Sequence, residues 1–126
     1  MQKKILIVED DQVLMRMLVN MLHGRGFDVL EARNGIEGIE QTNETKPDLI
    51  LLDIDMPKMN GIAMLRSLKD GGKRIPAILL TNLNDPNLIA DAAALGASEY
   101  LIKSEWDINE IGDKIEGKMK HLLSHE

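Results

Sequence analysis

Five side chains suited to binding a cation and a phosphoryl group each stand where a run of apolar residues ends. Asp10 and Asp11 follow residues 5–9, Asp53 follows 49–52, Thr81 follows 78–80, and Lys103 follows 100–102. Runs this short and this apolar read as strands buried on both faces of a sheet. In an open α/β sheet, ligands bind outside the carboxyl ends of the strands. Three acids, a hydroxyl and an ammonium therefore converge on one crevice, a set suited to Mg2+ and a phosphoryl group. Asp10 and Asp11 also open a helix, where Asp is a preferred cap. One cap does not need two acids, so the second carboxylate is free for a cation, and Mg2+ takes one or two carboxylates plus waters. Glu9 beside them reads as a solvated edge residue.

The elements that carry these residues alternate along the chain. After residues 5–9, apolar positions at Val13, Leu14, Met17, Leu18, Met21 and Leu22 form a helical stripe that stops at Gly24 and Gly26. Residues 27–32 read as a second strand. Asn34-Gly35 opens a second helix, with Ile36 and Ile39 on its inner face. Residues 49–52 are the third strand, and Asn60-Gly61 opens a helix carrying Ile62, Leu65 and Leu68. Residues 75–81 form the fourth strand. Asp85-Pro86 then places a cap and a first-turn proline ahead of Leu88, Ile89, Ala92, Ala93 and Leu95. Residues 98–102 make the fifth strand, and Ile108, Ile111, Ile115, Met119 and Leu122 mark the last helix. Strict alternation predicts a doubly wound α/β fold, a five-stranded parallel sheet with helices on both faces and right-handed crossovers.

Composition narrows the function. The 126 residues predict one domain with its own core and no room for an output domain. No cysteine is present, which removes disulfides, thiol nucleophiles and Cys-based zinc sites, and His23, His121 and His125 make no metal spacing. A net charge of −6 argues against nucleic-acid and membrane surfaces. No segment reads as a signal or transmembrane stretch, so a cytoplasmic protein is expected.

The segment from Asp53 to Gly61, Asp-Ile-Asp-Met-Pro-Lys-Met-Asn-Gly, resembles the response-regulator receiver domain of bacterial phosphorelays. The acid pair after the first strand, Thr81, Gly96-Ala97, Tyr100 and Lys103 fit the same family, so the resemblance covers essentially the whole chain. It implies a flavodoxin-like fold of strand order 2-1-3-4-5. It further implies a single-domain regulator that accepts a phosphoryl group on Asp53 from a histidine kinase or a histidine phosphotransfer protein. Mg2+, or Mn2+ in its place, would be held by Asp11, Asp53 and the backbone carbonyl of Asp55, with Asp10 acting through water. Lys103 would contact phosphoryl oxygens. Thr81 would bind the phosphoryl group while Tyr100 turns inward, reshaping the face of the fourth helix, fifth strand and fifth helix for an unidentified protein target. The switch would leave the chain a monomer or drive a phosphorylation-dependent dimer. Self-phosphorylation from small phosphodonors and autodephosphorylation are expected too.

Two positions depart from the family pattern. Asn82 stands where a small residue usually follows the Thr, and Ser104 where a cis-proline usually follows the Lys. Either the Lys103–Ser104 peptide is cis at a cost of about 3–4 kcal/mol, or the loop follows a trans path. Three other readings compete. A haloacid-dehalogenase-like phosphatase would use Asp53 as nucleophile and Asp55 as acid, but Pro57 stands where that motif carries Thr or Val. A receiver-like module that switches without phosphate would not need the intact acid set. A flavin-binding flavodoxin-like domain lacks its hydroxyl-rich phosphate loop here.

Overall fold

The computed structural model of the chain describes residues 3–56 and 58–123. Five strands and five helices alternate. They are β1 (Lys4–Val8), α1 (Gln12–Gly24), β2 (Asp28–Ala32), α2 (Gly35–Thr45), β3 (Leu49–Leu52), α3 (Gly61–Asp70), β4 (Ala77–Thr81), α4 (Pro86–Ala94), β5 (Ala97–Ile102) and α5 (Ile108–Leu123), with a 3-10 turn at Lys103–Glu105 before α5. The sheet is parallel throughout, in the order β2-β1-β3-β4-β5. The expected fold class and strand order both hold.

The pleat of the strands divides the core in two. Ile5, Ile7, Leu49, Leu51, Ile78 and Leu80 point to one face and pack against Leu18 and Leu22 of α1 and Ile111, Ile115 and Met119 of α5. Leu6, Val8, Ile50, Leu52 and Leu79 point to the other, against Ile62, Met64, Leu65 and Leu68 of α3 and Ala92 of α4. This alternation is the period of two that a strand imposes on its side chains. Both faces being covered explains why the strand sequences are continuously apolar.

Side-chain caps fix where the helices begin. Asp11, Asn34, Asn60 and Asp85 each accept backbone N–H bonds from the first turn of α1, α2, α3 and α4. Before α5, Asp107 and Glu110 exchange bonds reciprocally, at 2.8 and 3.0 Å. Trp106 packs against the α1/α5 side of the core and lies beneath the Lys114 ammonium, 5.3 Å from its ring centre.

Two expected faces are corrected. In α1 the buried residues are Met15, Leu18, Val19 and Leu22, while Val13 is 72% and Met17 49% exposed. Gln12, Arg16, Asn20 and His23 mark one polar face, but apolar residues fill the rest of the circumference, wider than the buried stripe, so periodicity alone could not say which of them face inward. In α2, Ile36 is 45% exposed, and Gly35, Gly38 and Thr42 are the buried residues instead. Close approach of this helix to its neighbours, with Gly38 beside Met64, leaves no space on that face for a long side chain.

Candidate functional site

The carboxyl ends of β1, β3, β4 and β5 bring Glu9, Asp53, Thr81 and Lys103 to one pole of the sheet. Asp53 follows Leu52 directly, and its backbone N–H donates to the Val8 carbonyl at 3.0 Å, so β3 stays paired with β1 up to the carboxylate. The side chain is only 5% exposed. One of its oxygens accepts from the Lys103 ammonium at 2.9 Å, and the other from the Asp55 N–H at 3.2 Å. A buried carboxylate costs several kcal/mol unless paired or hydrogen-bonded, and here both oxygens are bonded.

Lys103 bridges two acids. Its ammonium lies 2.8 Å from Glu9 and 2.9 Å from Asp53, with 18% of its side chain exposed. Burial works against the ammonium, but the hydrogen bonds it donates to Glu9 and Asp53 outweigh it and hold the Lys103 pKa above its usual value. At Glu9 burial wins. It pushes the carboxyl up to about 7, against the lowering effect of its bonds to Lys103 and the Asp11 N–H.

Glu9 is therefore not a solvated edge residue. It is 2% exposed and sits inside the site, its second oxygen accepting from the Asp11 N–H at 3.1 Å. Carboxylate oxygens of Glu9, Asp10 and Asp53 lie within 4.8 Å of one another, the spacing of a potential cation site. The acid pair beside Asp53 is thus Glu9 and Asp10, one position earlier than the Asp10 and Asp11 expected from the sequence. Asp11 is taken by the helix: its Oδ1 accepts from Val13 and Leu14 N–H groups at 3.0 and 3.1 Å. The signal that separates the roles is register. The acid immediately before the first helical residue, Gln12, is the cap, and the two before it remain available.

The loop after β3 is shaped around Asp53. Gly61 donates its N–H to the Ile54 carbonyl at 2.9 Å, and a β-carbon there would come within 2.4 Å of the Asp53 carbonyl oxygen. Only glycine permits that approach. Lys58 holds a left-handed backbone, φ 65°. Asp55 is exposed at the rim. Pro57 of the motif lies outside the described residues, as does His125.

Thr81 is fully buried at the end of β4, and its hydroxyl accepts from the Leu83 N–H at 3.3 Å. The Tyr100 hydroxyl donates to the carbonyl of the same Leu83. One residue of the β4–α4 loop thus connects the two side chains. Burial, then the charges of Asp85 and Asp53, raise the Tyr100 pKa, so the phenol stays protonated and able to donate. Asn82 is exposed. No cis peptide occurs among the described residues, so Lys103–Ser104 takes the trans path through the 3-10 turn.

A match to the response regulator receiver domain spans residues 5–116. The chain is 35% identical over 116 residues to sporulation initiation phosphotransferase F of Bacillus subtilis, covering 91% of this chain and 92% of that protein. It is 38% identical over 104 residues to the DNA-binding response regulator MtrA of Mycobacterium tuberculosis, covering 82% of this chain but only 45% of that protein. Among solved structures, a CheY-like receiver domain protein of Methanospirillum hungatei superposes over 100% of both chains with a TM-score of 0.93 at 24% identity, which speaks to the fold. The N-terminal domain of a Wolinella succinogenes protein superposes over 98% of this chain and 99% of its own with a TM-score of 0.89 at 30% identity. No described helix is long and apolar enough to cross a membrane. With a parallel sheet of this order, an acid-lined pole and a match over nearly its full length, the chain belongs to the response-regulator receiver family.

Proposed function

We propose that Asp53 accepts a phosphoryl group from a phosphohistidine on a histidine kinase or a histidine phosphotransfer protein, and that the bound phosphoryl group resets the β4–α4 loop. The observation that carries this reading is the Asp53 carboxylate itself: buried, bonded to Lys103, and flanked by two further acids. An aspartate oxygen attacks phosphorus in line, the P–O bond forms as the P–N bond breaks, and the imidazole leaves with its electron pair and takes a proton from solvent. Catalysis here is positioning and charge neutralisation.

Each side chain has a part. Asp53 is the nucleophile. Lys103, already on Asp53, moves its ammonium to the incoming phosphoryl oxygens. The Thr81 hydroxyl accepts from the Leu83 N–H and keeps its own proton free; swinging to donate that proton to the phosphoryl group, it carries Leu83 inward with it, and Tyr100 follows through its bond to the Leu83 carbonyl. Phosphorylation thereby biases a two-state loop by local charge.

The carboxylates fit a hard divalent cation, since Mg2+ takes oxygen donors and keeps several waters. Glu9, Asp10 and Asp53 would hold it, with the Asp55 backbone carbonyl as a further donor, and Mn2+ shares these preferences. A cation held by these residues would supply positive charge to offset that of the phosphoryl oxygens. Asp11 supports the site by capping α1 rather than by ligation.

The test is intact mass after incubation with acetyl phosphate, with and without Mg2+, for the wild type and Asp53→Asn. The expected result is one labile phosphoryl group that needs the metal and disappears in the variant. A gain that survives in Asp53→Asn would overturn the assignment. Sustained turnover of a generic phosphate ester would instead favour phosphatase chemistry on Asp53 and Asp55.

A further inference from the structure

The pole of the sheet opposite Asp53 has a different character. A crevice of about 650 Å3 opens there beside the amino ends of β4 and β5, and its wall carries Lys69, Lys73, Arg74 and Lys118 with no acid among the described lining residues. Four of the chain's 15 Lys and Arg residues thus meet at one place in a protein of net charge −6.

Among the described residues, no carboxylate pairs with these cations: ion pairs are made by Arg16, Arg25, Lys103 and Lys114, and none by the four of the crevice. Helix carboxyl ends attract cations, and this explains Lys69, which donates to the carbonyl of Ala94 at the end of α4. It does not explain Lys73 and Arg74, which lie beyond α3 in the loop to β4. The remaining wall is largely apolar, with Ile75 and Leu122 among its residues. Clefts of roughly 300–1,000 Å3 suit small organic ligands. An apolar wall and unpaired cations together call for a ligand with a non-polar body and several negative charges.

We infer that this crevice binds a phosphorylated organic anion of nucleotide size. Lys73, Arg74 and Lys118 hold the phosphates, and the apolar wall covers the body. The site needs neither Asp53 nor a divalent metal.

The test is an amide-shift titration of 15N-labelled protein in EDTA, with ATP, adenosine and inorganic phosphate as separate probes. ATP is expected to move the amides of Gly72, Lys73, Gly96 and Ser98, whereas adenosine and phosphate at equal concentration leave them in place. The double variant Lys73→Ala/Arg74→Ala is expected to weaken ATP binding roughly tenfold or more, and Lys118→Ala to weaken it less. Both loop side chains are exposed and have no ion-pair partner among the described residues, so the variant keeps its fold, which an unchanged amide spectrum elsewhere confirms. Asp53→Asn is expected to bind ATP as the wild type does, which separates this site from the phosphoacceptor. Unmoved crevice amides at millimolar ATP, shifts confined to the Asp53 pole, undiminished binding by the double variant, or equal shifts with phosphate alone would each overturn the assignment.

Discussion

Glu9 carries a charge at a position where burial opposes it. Its carboxyl titrates at about 7 in the folded chain rather than at 4.5, because lost hydration outweighs the help from Lys103. A carboxyl raised in this way binds more protons folded than unfolded between those two values, so stability falls as pH rises from about 4.5 to about 7 and levels off above. Gln at this position does not titrate. In EDTA, urea unfolding of Glu9→Gln is therefore expected to gain on the wild type as pH rises from 5 to 8, by on the order of 2 kcal/mol. Parallel pH profiles for the two proteins would show that Lys103 fully compensates the buried charge. The same residue marks a limit of sequence reading. Asp53, Thr81 and Lys103 were legible because each ends an apolar run, where a polar side chain must face the crevice. The acid pair was legible only as three acids in a row. Spacing does not say which of Glu9, Asp10 and Asp11 the helix takes as its cap; that depends on where α1 starts, and the cap at Asp11 settles it.

At the level of elements, glycines of equal sequence status have unequal structural roles. The β-carbon of Gly61→Ala would meet backbone, the Asp53 carbonyl oxygen at 2.4 Å and the Ile54 α-carbon at 2.9 Å, and backbone cannot yield without shifting Asp53 itself. The expected result is a loss of about 2 kcal/mol or more, together with slower labelling by acetyl phosphate. In α5 two glycines part company. Gly117 has nothing within 4 Å of its absent β-carbon, so Gly117→Ala is expected to stabilise by about 0.5–1 kcal/mol through helix propensity alone. At Gly112 a β-carbon would come within 2.5 Å of the Arg25 guanidinium and of the Met21 sulfur. Arg25 bonds Asp113 and Glu116 at 2.9 and 3.0 Å, joining α1 to α5. Gly112→Ala moves only the far ends of two flexible side chains, so the helix-propensity gain is offset and a change within about 0.5 kcal/mol of zero is expected. Urea midpoints check the pair: that of Gly117→Ala is expected to rise more than that of Gly112→Ala. In the sequence the two glycines look alike, each a residue that weakens a helix. The order of elements was plain from the change of period between strand and helix, but the contact of Gly112 with Arg25 spans 87 residues of chain and leaves no local trace.

For the whole molecule, the question is which part is free to respond when charge changes at Asp53. The sheet is buried on both faces, and α1, α3 and α5 each seat several apolar side chains in one of the two core layers. Helix α4 buries only Ala92 fully, with Leu88 and Leu95 half-covered, and the loop before it is exposed at Asn82, Asn84 and Asp85. Regions with few buried apolar contacts open at the lowest free energy. The loop is nevertheless tied to the site, through Leu83, by Thr81 on one side and Tyr100 on the other. A loosely seated helix joined to the phosphoacceptor pole by two hydrogen bonds is the element that a local charge can move; α5 is restrained by Arg25 and by the core residues Ile111, Ile115 and Met119. Hydrogen exchange checks this directly. Amides of α4 are expected to be less protected than those of α1, α3 and α5, and phosphorylation of Asp53 is expected to change exchange in residues 82–95 far more than in α1 or α3. Tyr100→Phe keeps the ring but removes the bond to Leu83, and is expected to raise exchange in the β4–α4 loop of the unphosphorylated protein and to shrink the change on phosphorylation. Protection in α4 equal to that in α1 would mean that Ala92 and its half-buried neighbours hold the helix as firmly as a full apolar stripe, and the moving element would then have to be sought in β5 and the turn after Lys103.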